Sequence, residues 1–147
     1  MHRMQAATAP ALRTFSEKRW LQGAVAIAGV VPVAAGLQGV LRGVGRLDPD
    51  GSASLDSHYR YLSGLLLGIG LLFWSAIPRI DQKGELVRAL TVAVVIGGIG
   101  RALSLYQTGL PSAVMRLALI MELVVTPVLC LWQWRLARRV DGTPAPR

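Results

Sequence analysis

The chain has 147 residues, 52% of them hydrophobic and 16% charged, and sixteen Lys and Arg against eight Asp and Glu leave a formal net charge of +8. That length fits one domain, and the apolar residues fall into four runs too long and continuous for the half-polar faces of a soluble fold. The basic excess does not point to nucleic acid, because it gathers at the ends of the apolar runs and no aromatic residues interleave with it.

Residues 1–19 read as a short basic arm, with a helix starting near 16–18 and Phe15, Trp20 and Leu21 at a membrane interface. The first apolar run covers 20–41. At ~1.5 Å of rise per residue, about twenty helical residues cross the ~30 Å hydrocarbon layer, so 20–41 is predicted to span. Gly29, Gly36 and Gly43 recur every seven residues as a close-packing face, and Pro32 is expected to kink the helix. Lys18 and Arg19 ahead of this run, with Val33-Ala34-Ala35 inside it, also have the form of a cleavable secretory signal, which would leave three spans. The continuation to Leu41 favours an uncleaved span. The segment Asp48-Pro49-Asp50-Gly51-Ser52 is turn chemistry. It lacks the glycine and closing glutamate spacing of a calcium loop.

The second predicted span is 59–77, with Asp56 or Ser57 expected as its cap and Arg60, Gly64 and Gly68 in one stripe. Trp74 is placed at the inner interface, and Pro78 ends the helix. A short charged loop at 78–85, with Asp81 and Gly84 suited to a turn, leads to the third span, 86–106. There Ala93, Gly97, Gly98 and Gly100 leave a face with almost no side-chain bulk beside Arg101, and Ser104 continues it. Gly109 and Pro111 form the next turn, with Pro111 suited to the first turn of the last helix. The fourth span, 112–134, carries Ala118, Glu122 and Thr126 at four-residue spacing, and Pro127 is expected to bend it. Trp132 and Trp134 anchor its end ahead of Arg135, Arg138 and Arg139, and 139–147 reads as a disordered tail. Cys130 is the single cysteine, so it forms no disulfide within the chain and no thiolate metal site, and reads as a packing residue.

The expected fold is thus all-α: a four-helix transmembrane bundle, antiparallel up and down, over 20–138. Arg13, Lys18, Arg19, Arg79, Lys83, Arg88, Arg135, Arg138 and Arg139 fall on one side of four crossings. On the other side Arg42 and Arg46 are offset by Asp48, Asp50 and Asp56. The positive-inside rule then places both termini in the cytoplasm.

Arg101 and Glu122 stand out because a charge within a span costs roughly 2.5–3.5 kcal/mol even on the lenient insertion scale. In an antiparallel hairpin turning near residue 108, Glu122 lies about six residues deeper than Arg101, ~9 Å at helical rise. Side chains lean toward the N-terminus of their helix. The two therefore lean toward each other, and the long arginine stem is expected to complete an ion pair. Arg60 and Arg116, with Asp56, His58, Tyr61, Ser104, Tyr106 and Gln107, are expected around the outer mouth of the bundle. Small residues beneath the arginines favour a pocket for an anionic or carbonyl-bearing guest. A purely structural ion-pair network is the competing reading. Gly36, Gly64, Gly68 and Gly97 are expected to pack helices, and Gly109 and Pro111 to turn the chain. No metal or cofactor set is recognised, and no nucleophile–base pair marks a catalytic centre.

Arg60-x-x-x-Gly64-x-x-x-Gly68-x-Gly70, then Arg101-x-x-Ser104-x-x-x-x-Gly109-x-Pro111, then Glu122, resemble the bacterial domain-of-unknown-function 4345 family over about 20–138. The resemblance implies a small four-span membrane protein and singles out Arg60, Arg101, Ser104, Gly109, Pro111 and Glu122, without implying a substrate. The leading expectation is a non-catalytic membrane protein whose Arg/Glu cluster is structural or holds a small amphiphile. The alternatives are a membrane enzyme or redox-linked component acting on a lipophilic substrate, and a transporter or accessory subunit. Expected partners are membrane lipid, a small amphiphilic ligand, and membrane-complex subunits or further copies of the chain; nucleic acid is not expected.

Overall fold

The computed structural model describes residues 8–46 and 52–141. Among these, all regular structure is helical. Helix α1 is Thr8–Arg42, α2 is Ala53–Ala76 and α3 is Gly84–Thr108. The last crossing is built from α4 (Ala113–Ile120), a π turn (Met121–Val125) and α5 (Thr126–Asp141). Four helices are long and apolar enough to cross a membrane, with mean hydropathies of 2.0, 1.7, 1.8 and 2.1 in chain order. Their apolar side chains are largely exposed: Ile27, Ile96, Ile99, Val114 and Val128 each show more than half their surface. Such outward apolarity is what a lipid solvent selects. The chain is a multi-pass membrane protein.

The helices extend past the predicted boundaries. Helix α1 begins at Thr8, inside the expected arm, and α5 reaches Asp141, inside the expected tail. Charged residues at 17–19 and 135–139 ended the apolar runs without ending the helices. Hydropathy marks where lipid contact stops, whereas backbone hydrogen bonding continues into the interface. Helix α1 also runs through Pro32 without interruption. The predicted turn at 48–51 lies outside the described residues.

The chain forms two compact units, Val25–Ile77 and Met1–Ala24 with Pro78–Arg147. In Val25–Ile77, α1 and α2 form an antiparallel hairpin. Each step up α1 is matched by a similar step down α2: Gly29 meets Trp74, Gly36 meets Leu67 and Gly39 meets Ser63. A Cβ at Gly36 would lie 2.6 Å from the Leu67 nitrogen, so glycine permits backbone contact there. Trp74 lies over Gly29 and its indole nitrogen donates to the Ala26 carbonyl at 3.1 Å. It therefore packs the two helices together.

Helix α2 starts earlier than predicted because Ser52, and not Asp56 or Ser57, is its cap. The Ser52 hydroxyl accepts from the Leu55 N–H at 3.2 Å. That leaves Asp56 free for a tertiary role. Its carboxylate accepts from the Val44 N–H at 2.8 Å and from Arg60 Nε at 2.7 Å. Arg60 Nη1 in turn donates to the carbonyls of Val40 and Leu41 at 2.6 and 3.3 Å. Those carbonyls belong to the last turn of α1, whose negative dipole end a cation complements. Gly43, with φ of 62°, makes the left-handed turn that ends α1, and any Cβ there would collide with Asp56 and Arg60.

In the other unit, α3 runs antiparallel to α4 and α5. Gly98 lies against Glu122 and Leu123, and Gly84 against Gln133. Leu21, Ile80, Gln133 and Leu136 are the largest fully buried side chains. At the α3–α4 turn, Gly109 has φ of 92° and ψ of −171°, a conformation open essentially to glycine. Pro111 precedes the Ser112 cap and stands one step outside the helix it was expected to begin.

Candidate functional site

The chain's Thr126-Pro127 pair shapes the last crossing where Glu122 sits. Proline lacks an N–H and its ring conflicts with the carbonyl four residues back, here Leu123. The helix absorbs this by widening into a π turn over Met121–Val125 instead of simply bending. Both the Thr126 N–H and its hydroxyl then donate to the Met121 carbonyl, the hydroxyl at 2.8 Å. Glu122 is thereby carried within the π turn. Gly98 of α3 faces it, and a Cβ there would be 3.0 Å from the Glu122 Cβ and 2.6 Å from Leu123 Cδ2. The missing side chain lets the two helices approach at the level of the charge.

Arg101, one turn further along α3, reaches the carboxylate. Its Nε donates to Glu122 Oε1 at 2.9 Å, and Nη1 contacts Met115 Sδ at 3.1 Å. The contact is end-on through Nε, not the two-nitrogen fork. Glu122 is the more enclosed partner: its side chain is 16% exposed against 39% for Arg101. Glu122 Oε2 is buried and accepts no hydrogen bond. Arg101 Nη2 has no partner among the described residues. The pair is electrically balanced overall, with one donor nitrogen of Arg101 left without a partner among the described residues.

Arg116 and Ser104, in the same unit as this pair, bond to groups close by in sequence. Arg60 and Asp56 fasten the end of α1 in the Val25–Ile77 unit. Arg60 donates to Asp56 and to the carbonyls at the end of α1, and the Asp56 carboxylate also accepts from the Val44 N–H, so the two side chains clamp that helix end. Arg116 bends back to the Pro111 carbonyl at 3.2 Å, within its own helix start. Ser104 meets Thr108, whose hydroxyl donates to the Ser104 carbonyl at 2.7 Å. His58 and Tyr61 are exposed on α2 beside Ser54 and Ser57. Of the glycines expected to pack helices, Gly36 is tightly opposed, whereas Gly64 has one methyl at 3.9 Å and Gly68 and Gly97 face open space.

A second polar cluster lies near the basic end of the same unit, and sequence reading did not find it. Glu17 accepts from Trp132 Nε1 at 3.2 Å and from Arg139 Nη1 at 2.7 Å. Lys18 pairs with Asp81 at 2.8 Å, and the buried Gln133 donates to the Ile80 carbonyl at 2.8 Å. Lys18 and Arg139 were read as topology signals alone. The signals that pointed further were Glu17, an acid inside a basic arm, and Gln133, an amide between two tryptophans. Cys130 is a free, half-buried thiol, and no group of three metal-ligating side chains occurs among the described residues.

No curated protein and no solved structure matches this chain. The family comparison does find a match, and it covers 20–133, which takes in all four apolar helices and both members of the Arg101–Glu122 pair. The chain belongs to the family described as Domain of unknown function (DUF4345).

Proposed function

We propose that this membrane protein binds a lipophilic molecule through a hydrogen-bond-accepting head group at Arg101, without catalysing a reaction on it. The observation that carries the reading is a guanidinium placed in an apolar span, anchored by Glu122 at 2.9 Å, yet 39% exposed and with Nη2 unpartnered. A donor in a lipid environment gains strongly from an acceptor. Gly97 and Gly100, one turn or less along α3, have no heavy atom within 4 Å of where a side chain would start, so there is room for a guest beside the donor. Because Glu122 already neutralises Arg101, the chemistry favours a carbonyl, ester or hydroxyl oxygen over the free anion suggested by counting arginines. The basic clusters at one set of helix ends support a bacterial inner-membrane setting with cytoplasmic termini.

Native mass spectrometry of the full-length protein released from detergent tests this. Wild type is expected to retain a small lipophilic adduct, and Arg101→Gln to lose most of its occupancy. Equal occupancy in the variant, or no adduct on wild type, would overturn the proposal.

A further inference from the structure

We infer that the basic end of α1 carries a site for an anionic phospholipid of the surrounding bilayer, held by Arg19 and Ser16, with Phe15 at its outer edge and Trp20 and Gly23 on its membrane side. This surface is separate from the Arg101–Glu122 pair and does not rest on it. The five residues line a shallow groove of about 640 Å³ on one face of the helix. The neighbouring positions Glu17 and Lys18 are committed elsewhere, to Trp132 and Arg139 and to Asp81. The groove is therefore left on the opposite side of the same turn.

Charge decides the kind of lipid. Lys18 and Arg139 are each neutralised by a carboxylate, at 2.8 and 2.7 Å. Arg19 is exposed and has no partner among the described residues. Its charge is thus uncompensated at the level where the apolar run begins. A planar guanidinium matches a phosphodiester with two parallel hydrogen bonds, which a solvated lysine does not. Ser16, one turn away, adds a hydroxyl for the head group.

The apolar part of the groove fits the rest of the molecule. Phe15 and Trp20 are 71% and 72% exposed, as interfacial aromatic residues are. Gly23 has no heavy atom within 4 Å of a built Cβ, so an acyl chain can lie against the helix just beyond Trp20, toward the bilayer. Along the helix Ser16 and Arg19 precede Trp20 and Gly23, so the groups that would meet a head group lie nearer the helix end than the positions that would meet an acyl chain. A zwitterionic lipid brings an ammonium that opposes Arg19, whereas an anionic lipid does not. One basic residue at a membrane surface favours anionic lipid by about fivefold.

The test uses full-length protein reconstituted in phosphatidylcholine bilayers, doped with either brominated phosphatidylglycerol or brominated phosphatidylcholine. Bromine quenches nearby indoles, and the Trp20 contribution is obtained by difference from Trp20→Phe. Phosphatidylglycerol is expected to reach half-maximal quenching of Trp20 at about one-fifth the mole fraction that phosphatidylcholine requires. That preference is expected to shrink in high salt and to disappear in Arg19→Gln. Arg19→Lys is expected to keep part of it. Equal quenching by the two lipids, or an undiminished preference in Arg19→Gln with native helix content, would overturn the inference.

Discussion

At the scale of single residues, Glu122 is the most telling side chain of the candidate site. It is the more enclosed half of the pair, it sits in a π turn, and one of its oxygens has no partner. Glu122→Gln keeps an oxygen for Arg101 Nε but removes the charge that balances the guanidinium. The expected loss is about 1.5–3 kcal/mol, the range for a hydrogen bond to a charged group. Thermal unfolding in detergent would read this as a lower midpoint than any loop charge change gives; an unchanged midpoint would remove the pair from the stability argument. The sequence made Arg101 and Glu122 visible because charge in an apolar run is conspicuous one residue at a time. It did not make visible that Arg60 and Arg116 spend their donors on backbone carbonyls, since a carbonyl carries no sequence label.

At the scale of elements, the two helix pairs are set by which glycines meet a neighbouring backbone. Gly36 and Gly68 look alike in the sequence, both lying in small-residue stripes. In the structure Gly36 opposes the Leu67 backbone, whereas Gly68 has nothing within 4 Å. Gly36→Val must push α1 and α2 apart and is expected to cost about 1–3 kcal/mol, as overpacking does. Gly68→Ala is expected to be neutral or to stabilise by up to about 1 kcal/mol, the helix-propensity difference. Parallel unfolding measurements on the two variants check the contrast, and equal effects would contradict the register described for α1 and α2. The same reasoning explains the π turn. Pro127 announced an irregularity, but whether the helix bends or widens depends on the contacts available to Thr126 and Leu123.

At the scale of the whole molecule, four apolar crossings and an uneven distribution of basic residues carry the membrane topology. Gln82 lies in the turn before α3 and Gln107 near the end of α3, both exposed. In a Cys130→Ser background, Gln107→Cys is expected to react with a membrane-impermeant maleimide in intact cells, and Gln82→Cys only after permeabilisation. The reverse pattern would invert the proposed orientation. The basic ends also have a role that topology does not exhaust, because Lys18 and Arg139 complete ion pairs around Glu17 and Asp81.

The sequence by itself pointed to a helical chain with four apolar spans and to a contact between Arg101 and Glu122. Each of these follows from hydropathy and charge, which belong to individual residues and accumulate along a line. Only the tertiary structure decided which cations are paired, which glycines bear a neighbouring backbone, and that Arg60 clamps the end of α1. Those outcomes depend on the rotation of each helix about its axis and on the register between partners. A single residue of offset turns a side chain by about 100°, and no property of the isolated residue records that angle.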